Sequence, residues 1–366
     1  MVEGSAATLL TPTLVPEVSG DTKLILVEIP DFFKSVTAAK AAVNPWHTEV
    51  KMAGHAWAAE ILGFSEKVSR KILEADFALL AAAFIPFASK EQLRGLVDWL
   101  YWVAMFDDRI DEGDLRNDTI GAAAEILESL AILDDEYPAI DPKDNPVRYL
   151  LQVAWKNFSA NASDVLKLRF KEHHRLYMIG LLKQTQWMGN ITDDITLDRY
   201  IDIRRGTIGG YPTMSYAEWA NDINLPRDVI NHQCIETLRD VANDLIWISN
   251  DIISLRKDLA FGTEANLIIL LLKQGYNLRE AMGRADEMLD ECYKTWDDAF
   301  QAMPKWGEEI DRQVLRLVEA YRVLAMGNID WSFRTTRFLG NKGAEVRATR
   351  ILAIPEEYVR KYGCNS

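Results

Sequence analysis

Cysteine is scarce in this chain, and its three copies exclude two kinds of stabilised architecture. Cys234, Cys292 and Cys364 are widely separated, so they provide neither an even-numbered disulfide framework nor the spacing of a zinc site. A chain with so few thiols fits a reducing compartment. We therefore predict a cytoplasmic protein.

Long hydrophobic runs are also missing. The longest apolar stretches, such as ALLAAAFIPFA, are too short to span a bilayer. The first residues, MVEGSAATLLTPTLVPEVSGDTK, lack both the basic and the continuous apolar region of a signal peptide. We predict no membrane insertion, and we expect residues 1–25 to be a disordered leader.

Positive charge is in deficit, because 41 Lys and Arg face 55 Asp and Glu, which gives a net charge of -14. No basic stripe offsets this excess, so nucleic acid and anionic membrane surfaces are poor partners. An anionic substrate would need local positive charge. Bound metal ions and a few well-placed Arg or Lys side chains are the obvious source.

Strand-like alternation, linkers and internal repeats are nearly absent, whereas helical periodicity recurs along the chain. We predict an all-α fold with a single domain over residues 26–366. Apolar residues three and four apart predict helices at Trp46–Leu62, Glu91–Asp111, Pro146–Phe158, Val165–Met188 and Leu278–Met303. The segment KLILVEIP is the exception, and we expect an extended entry strand there rather than part of a sheet.

Turn residues predict where these helices are interrupted. Loops are expected at 134–146 and 189–198, where Pro, Asp, Asn and Gly cluster. Gly209, Gly210 and Pro212 follow RRGTI, and they predict either a break within a helix or a simple turn between two helices.

An acidic cluster ends one of the predicted helices, in the segment WLYWVAMFDDRIDEGD. Asp107 and Asp111 continue an apolar stripe at helical spacing, and Asp108 lies beside them. Buried unpaired carboxylates are costly unless they are protonated, paired or bound to metal, and the negative end of the helix adds to that cost. The pattern indicates a metal site, although a solvated acidic helix end beside Arg109 is the alternative.

A second polar set occurs in NDIISLRKD, where Asn250, Ser254 and Asp258 follow one another at intervals of four residues. Such spacing places a carbonyl, a hydroxyl and a carboxylate on one helix face. All-oxygen ligands suit Mg²⁺, which takes few protein ligands and completes its shell with water and substrate phosphates. A partly exposed helix whose Asn and Ser bond locally is the alternative.

The segments FDDRIDEGD and NDIISLRKD together resemble the aspartate-rich and NSE motifs of class I terpene synthases. IPDFF, NPW, YIDIRRGTIGGYP and GNIDWSFRTTRFLG are similar to segments of fungal sesquiterpene synthases, so the likeness runs over nearly the whole chain. Segments around RRGTIG, RKDL and WSF are most similar to the presilphiperfolanol synthase type. The resemblance implies one helical bundle around a deep apolar pocket, with two metal-binding helix walls facing across its mouth.

The same resemblance implies a magnesium-dependent cyclase that ionises farnesyl diphosphate and releases diphosphate. Three Mg²⁺ ions would bind the diphosphate, with Asp107 as the principal ligand of one wall and Asp111 in support. The ligands of the third ion would be Asn250, Ser254 and Asp258. Asp258 stands where Glu is commoner, a departure that still provides a carboxylate.

The resemblance also assigns the groups that would contact substrate. Arg204 lies 46 positions before Asn250 (250 minus 204), where the family has its diphosphate-sensing arginine, and Arg205 is the neighbouring candidate. Lys257 and Arg337 would also contact diphosphate. In the family a Tyr follows the arginine that corresponds to Arg337, but this chain has Phe338 at that position. Our hypothesis is that Arg334 replaces the missing Tyr as a donor to the diphosphate.

Aromatic side chains would stabilise the carbocation without offering a nucleophile. Trp331 is the first candidate, because similar enzymes place a pocket aromatic there, and ordinary core packing is the alternative for every aromatic. The weaker candidates are Phe106, Trp187, Tyr211 and Phe333. The histidines form no nucleophile or base pattern, and we expect His173 and His174, in a Lys/Arg/Glu-rich helix, to be exposed.

Several functional alternatives remain open at this point. A chain-elongating prenyltransferase shares the fold and the diphosphate chemistry, and a terpene synthase that uses C10 or C20 substrates is a further alternative. A helical scaffold protein with solvated acidic faces is the non-enzymatic reading. We expect a polycyclic sesquiterpene hydrocarbon or alcohol as product, and a monomer or homodimer.

Overall fold

The computed structural model describes residues 22–111, 113–116, 118–189 and 195–362. Most of the predicted leader, the central part of the 189–198 loop and Cys364 lie outside these residues. The described chain is predominantly helical and has almost no sheet, as predicted. No described helix combines the length and apolar character that a membrane crossing requires.

The elements follow one another in this order: β1 (Leu24–Glu28), α1 (His47–Leu62), α2 (Glu66–Ala75), α3 (Phe77–Phe84), α4 (Lys90–Asp111), α5 (Thr119–Ala131), α6 (Pro146–Ser159), α7 (Asp164–Gly189), α8 (Leu197–Thr207), α9 (Gly210–Ala220), α10 (Arg227–Ile230), α11 (Gln233–Phe261), α12 (Leu267–Lys273), α13 (Leu278–Gln301), α14 (Glu308–Arg334), α15 (Thr336–Leu339), α16 (Gly343–Thr349), β2 (Ile351–Pro355) and α17 (Glu356–Arg360). The five predicted helices correspond to α1, α4, α6, α7 and α13, with ends shifted by at most two residues.

The chain forms two compact units. Within the described residues, the first comprises Ala42–Asn224 and Gln313–Ala320, and the second comprises the remainder. The first unit therefore contains α1 to α9, and the second contains both strands, α10 to α13 and most of α14. The prediction of a single domain over 26–366 stays a prediction.

The prediction for KLILVEIP was wrong in one respect. It forms a strand, but β1 pairs antiparallel with β2 from Leu24 opposite Pro355 to Glu28 opposite Ile351. The partner strand, β2, lies more than 300 residues further along the sequence. Local periodicity carries no information about such a partner.

The first unit is built on an aromatic core between α4, α6, α7 and α9. Trp99, Trp102, Phe158 and Phe170 are buried there, and the Phe158 and Phe170 rings stack 4.2 Å apart. Burial of such large side chains dominates core energetics. This core fixes where the last turn of α4 and the middle of α7 meet.

His173 and His174 are buried in this core, so the prediction that they are exposed was wrong. His174 Nε2 accepts a hydrogen bond from Trp99 Nε1 at 2.8 Å, and its Nδ1 bonds the Phe170 carbonyl oxygen at 2.9 Å. Burial lowers the pKa of His174 to about 3. The neutral ring is therefore a packing residue, and the charged residues around it in sequence lie on the other faces of α7.

Candidate functional site

The acidic cluster lies at the end of α4, as predicted. Leu93, Leu96, Leu100 and Ala104 are buried along the preceding stripe, and Phe106 is fully buried just before Asp107. The Tyr177 hydroxyl, on α7, donates a hydrogen bond to Asp107 Oδ1. Two turns further along α7, Gln184 Nε2 donates to Asp111 Oδ1 at 2.7 Å. One neighbouring helix thus holds both carboxylates.

Electrostatics at Asp107 favour a bound cation. Burial raises the pKa of Asp107 well above its ordinary value, and the negative charge of Asp111 raises it further. The Tyr177 hydrogen bond and the positive charge of Arg204 act in the opposite direction. A divalent cation would offset the cost of holding these carboxylates ionised side by side.

The donor set at α4 fits magnesium. Within the described parts of the chain, no three His, Cys, Asp or Glu side chains form a ready-made metal cage. Magnesium does not require one, because it binds through one or two carboxylates and fills its octahedron with water and substrate phosphates. Two carboxylates at one helix end match that mode of binding, whereas zinc would call for His or Cys.

The two candidate sensing arginines differ in their surroundings. Arg204 is 9% exposed, its Nη1 donates to Thr207 Oγ1 at 3.1 Å, and its charge is felt at Asp107. Arg205 is only partly buried on the next face of α8. Of the pair, Arg204 has the position from which a guanidinium can respond to an anion at the acidic cluster.

The contact between α7 and α8 sets the position of Arg204. A Cβ atom built on Gly206 would lie 2.7 Å from Gly180 Cα, so the two backbones meet without side chains between them. Immediately afterwards Gly209, with φ of 73°, ends this segment and starts α9. Gly209 and Gly210 therefore lie at the predicted interruption, with α8 before it and α9 after it.

The second candidate ligand set lies on α11, where the spacing predicted a helix. Ser254 and Asp258 are buried, and Asn250 is partly exposed at the same face. Ser254 Oγ donates to Asp258 Oδ2 at 2.5 Å, and Lys257 Nζ lies 3.2 Å from Asp258 Oδ1. A hydroxyl that donates its only proton to a carboxylate still offers its lone pairs to a cation.

The C-terminal candidates lie around the end of α14. Trp331 is buried, and its ring meets Phe338 edge-on at 5.5 Å between centroids. Phe338 thus has an apolar packing partner in the position where the family has a Tyr. Arg334 Nη1 donates to Asp330 Oδ2 at 3.0 Å, and Arg337 lies on α15, a separate short helix that begins after the extended Thr335. The proposed contact of Arg334 with diphosphate stays a prediction.

The weaker aromatic candidates are all engaged with other rings. Phe106 stacks on Trp102 at 5.2 Å, and Phe333 lies 6.1 Å from Phe32. Two further pairs behave in the same way, Trp187 with Tyr200 and Tyr211 with His173. These contacts are those of ordinary aromatic packing.

Three residues that touch the ligand sets were missed from the sequence: Tyr177, Gln184 and Asn266. Asn266 Nδ2 donates to Asp258 Oδ2 at 2.9 Å. A seven-residue interval between Tyr177 and Gln184 does place them on one face of a helix. Nothing local, however, shows which helix that face meets.

Comparisons with known proteins identify the family of the chain. Residues 98–295 match the family model described as "Terpene synthase family 2, C-terminal metal binding". The chain is 39% identical to a (+)-eremophilene synthase of Gibberella fujikuroi over 352 residues, covering 94% of this chain and 98% of that protein. It is 33% identical to a silphinene synthase of Penicillium patulum over 338 residues, covering 91% of each.

Solved structures are similar in fold. A crystal structure of α-eudesmol synthase matches with a TM-score of 0.71 at 21% identity, and the match covers 80% of this chain and 96% of that one. A cucumene synthase variant matches with a TM-score of 0.70 at 21% identity. At this level of identity the likeness concerns the fold alone.

Proposed function

The chain belongs to the terpene synthase family, and we propose that it ionises farnesyl diphosphate and cyclises the resulting carbocation to a sesquiterpene, releasing diphosphate. The observation that carries the proposal is the acidic end of α4, where Tyr177 and Gln184 hold two carboxylates beside the charge of Arg204. Relatives named as synthases of eremophilene and silphinene support the C15 assignment.

Metal use belongs to the family model, and we assign the metal as Mg²⁺, with three ions expected beside the diphosphate. Asp107 and Asp111 are proposed as one ligand set, and Asn250, Ser254 and Asp258 as the other. When bound, Mg²⁺ neutralises charge that develops on the departing diphosphate. All of these ligand atoms are oxygens, which suit a hard cation.

The remaining roles fall to groups of the chain itself. Arg204 is proposed to sense the diphosphate, with Arg205 as its neighbour, and Lys257 and Arg337 to contact it. Arg334 would contribute after releasing Asp330. Trp331 is proposed to present its ring to the carbocation, because an aromatic face stabilises a desolvated cation by about 0.5–2 kcal/mol without trapping it. Exclusion of water then protects the cation from premature capture.

The proposal is tested by incubating the protein with farnesyl diphosphate and magnesium, and identifying products by gas chromatography and mass spectrometry. We expect a C15 product that disappears with EDTA and in Asp107→Ala and Asn250→Ala. Asp297→Ala is the matched control, since Asp297 begins another Asp pair, on an exposed face of α13, and should leave the product unchanged. C10 and C20 diphosphates, and farnesyl with isopentenyl diphosphate, run in parallel. A longer prenyl diphosphate would identify a transferase instead.

A further inference from the structure

Asn266 occupies an unusual position between the ligand helix and the helix that follows it. It is fully buried at the start of α12, where its Oδ1 accepts from the backbone N–H groups of Ile268 at 2.9 Å and Ile269 at 3.4 Å. Its Nδ2 donates to the Asp251 carbonyl oxygen at 2.7 Å and to Asp258 Oδ2 at 2.9 Å. The amide therefore uses both of its donors and both of its acceptor sites.

These four contacts fix the orientation of the amide. A flipped amide would point its NH₂ group at two backbone N–H donors and its oxygen at two acceptors. Its NH₂ group is consequently committed to Asp258. Together with Ser254 Oγ, it supplies two donors to the Oδ2 atom of that carboxylate.

The start of α12 is bonded to α11 at a second point. Asp251 Oδ2 accepts from the backbone N–H of Leu267 at 3.0 Å. The first turn of α12 is thus held by Asp251, which lies on α11, and by Asn266, which bonds α11. The short connection from Gly262 to Asn266 folds the chain back to make this possible. The start of α12 is therefore bonded to α11 both through Asp251 and through the Asp258 carboxylate.

We propose that Asn266 is a positioning residue that holds the Asp258 carboxylate in its metal-binding orientation and couples that orientation to the seating of α12. The inference rests on the proposed function of the α11 ligand set. Two donors on Oδ2 restrict rotation of a short Asp side chain, and Oδ1 is left on the side of Lys257. Partners of this kind change metal affinity by roughly 10- to 100-fold when they are removed.

The test is the magnesium dependence of thermal stabilisation by inorganic pyrophosphate, which reads binding without turnover. Asn266→Ser keeps an oxygen that can cap α12 but removes the amide NH₂ group, which donates to Asp258. The shorter hydroxyl that caps α12 does not replace this group. We expect the magnesium concentration at half-maximal stabilisation to rise about tenfold. Should that variant not fold, Asn266→Thr, which retains a hydroxyl and fills more of the site, makes the same comparison.

Asn277→Ala is the matched control. Asn277 is also the N-cap of a helix in the second unit, but that helix is α13, and the residue is exposed. It should lower the melting temperature by roughly 2 °C through loss of the cap and leave the magnesium midpoint unchanged. A midpoint in Asn266→Ser within twofold of the unmodified protein overturns the positioning role. Failure of the proposed function looks different, since the unmodified protein itself would then show no stabilisation by magnesium and pyrophosphate.

Discussion

At the scale of single residues, the acidic cluster depends on a phenol that the motif does not contain. Tyr177 is fully buried, and its pKa is raised well above the ordinary value by burial and by the charge of Asp107. The phenol therefore stays protonated and serves as a donor. Its hydrogen bond lowers the cost of keeping Asp107 ionised.

Tyr177→Phe is expected to weaken magnesium binding about tenfold, because it removes the donor that orients and stabilises the Asp107 carboxylate. The measurement is the magnesium concentration that supports half-maximal product formation. Tyr216→Phe is the control, since Tyr216 is equally buried in the same unit and its hydroxyl bonds no described residue. If both variants shift the magnesium dependence alike, the loss is one of packing rather than of a specific hydrogen bond.

A second residue-scale prediction concerns Asp98 on α4. This residue is 2% exposed, and its Oδ1 accepts a hydrogen bond from Arg94 Nε at 2.6 Å. Burial raises its pKa to about 6 from 3.8. Between these values the folded chain binds more protons than the unfolded chain, so the contribution of Asp98 to stability falls as pH rises. The free energy of unfolding relative to Asp98→Asn should fall by roughly 1–2 kcal/mol from pH 5 to pH 7.5.

Denaturant titrations of both proteins at several pH values measure this difference, because titration of all other groups cancels between them. If the difference in unfolding free energy between the two proteins does not change with pH, Arg94 keeps Asp98 ionised over the whole measured pH range.

At the scale of elements, the crossing of α7 and α8 is decided by two glycines. Gly206→Ala would place a Cβ 2.7 Å from Gly180 Cα and 3.3 Å from the Leu176 carbonyl oxygen, so the helices must separate. We expect a loss of about 1–3 kcal/mol in unfolding free energy and weaker pyrophosphate binding, because Arg204 moves with α8.

Gly283→Ala provides the contrast for this element. A Cβ at Gly283 meets no atom within 4 Å on the exposed side of α13, so the change should stabilise the chain by up to about 1 kcal/mol through helix propensity. Denaturant unfolding and pyrophosphate titration of the two variants give the comparison. Equal effects at both sites would show that the close approach of α7 and α8 is not required.

At the scale of the whole molecule, a chain with a net charge of -14 binds a substrate whose diphosphate group is multiply negative and gains a further negative charge when the C–O bond breaks. Magnesium and pyrophosphate together are expected to raise the melting temperature, since ligands that bind only the folded state stabilise it by about 2.7 kcal/mol at one hundred times their dissociation constant. Pyrophosphate with EDTA should have no such effect. Equal stabilisation with and without magnesium would remove the role of the metal in anion binding.

The sequence by itself determined the principal helices and the helix faces on which the candidate ligands lie. Periodicity predicted α1, α4, α6, α7 and α13, because helical amphipathicity is a local property with a period of 3.6 residues. Spacing of four residues placed Asn250, Ser254 and Asp258 on one face for the same reason. Resemblance of motifs indicated the family, and the comparisons confirmed it.

Only the tertiary structure decided which groups hold those ligands and which residues are buried. Tyr177 lies 70 residues from Asp107, and Gln184 lies 73 from Asp111, so neither contact follows from a local pattern. His174 was misjudged because its charged neighbours in sequence do not share its face, and the β1 strand was misjudged because its partner lies at the other end of the chain. Burial and hydrogen-bond partners depend on long-range packing, which the local period of a helix or strand does not encode.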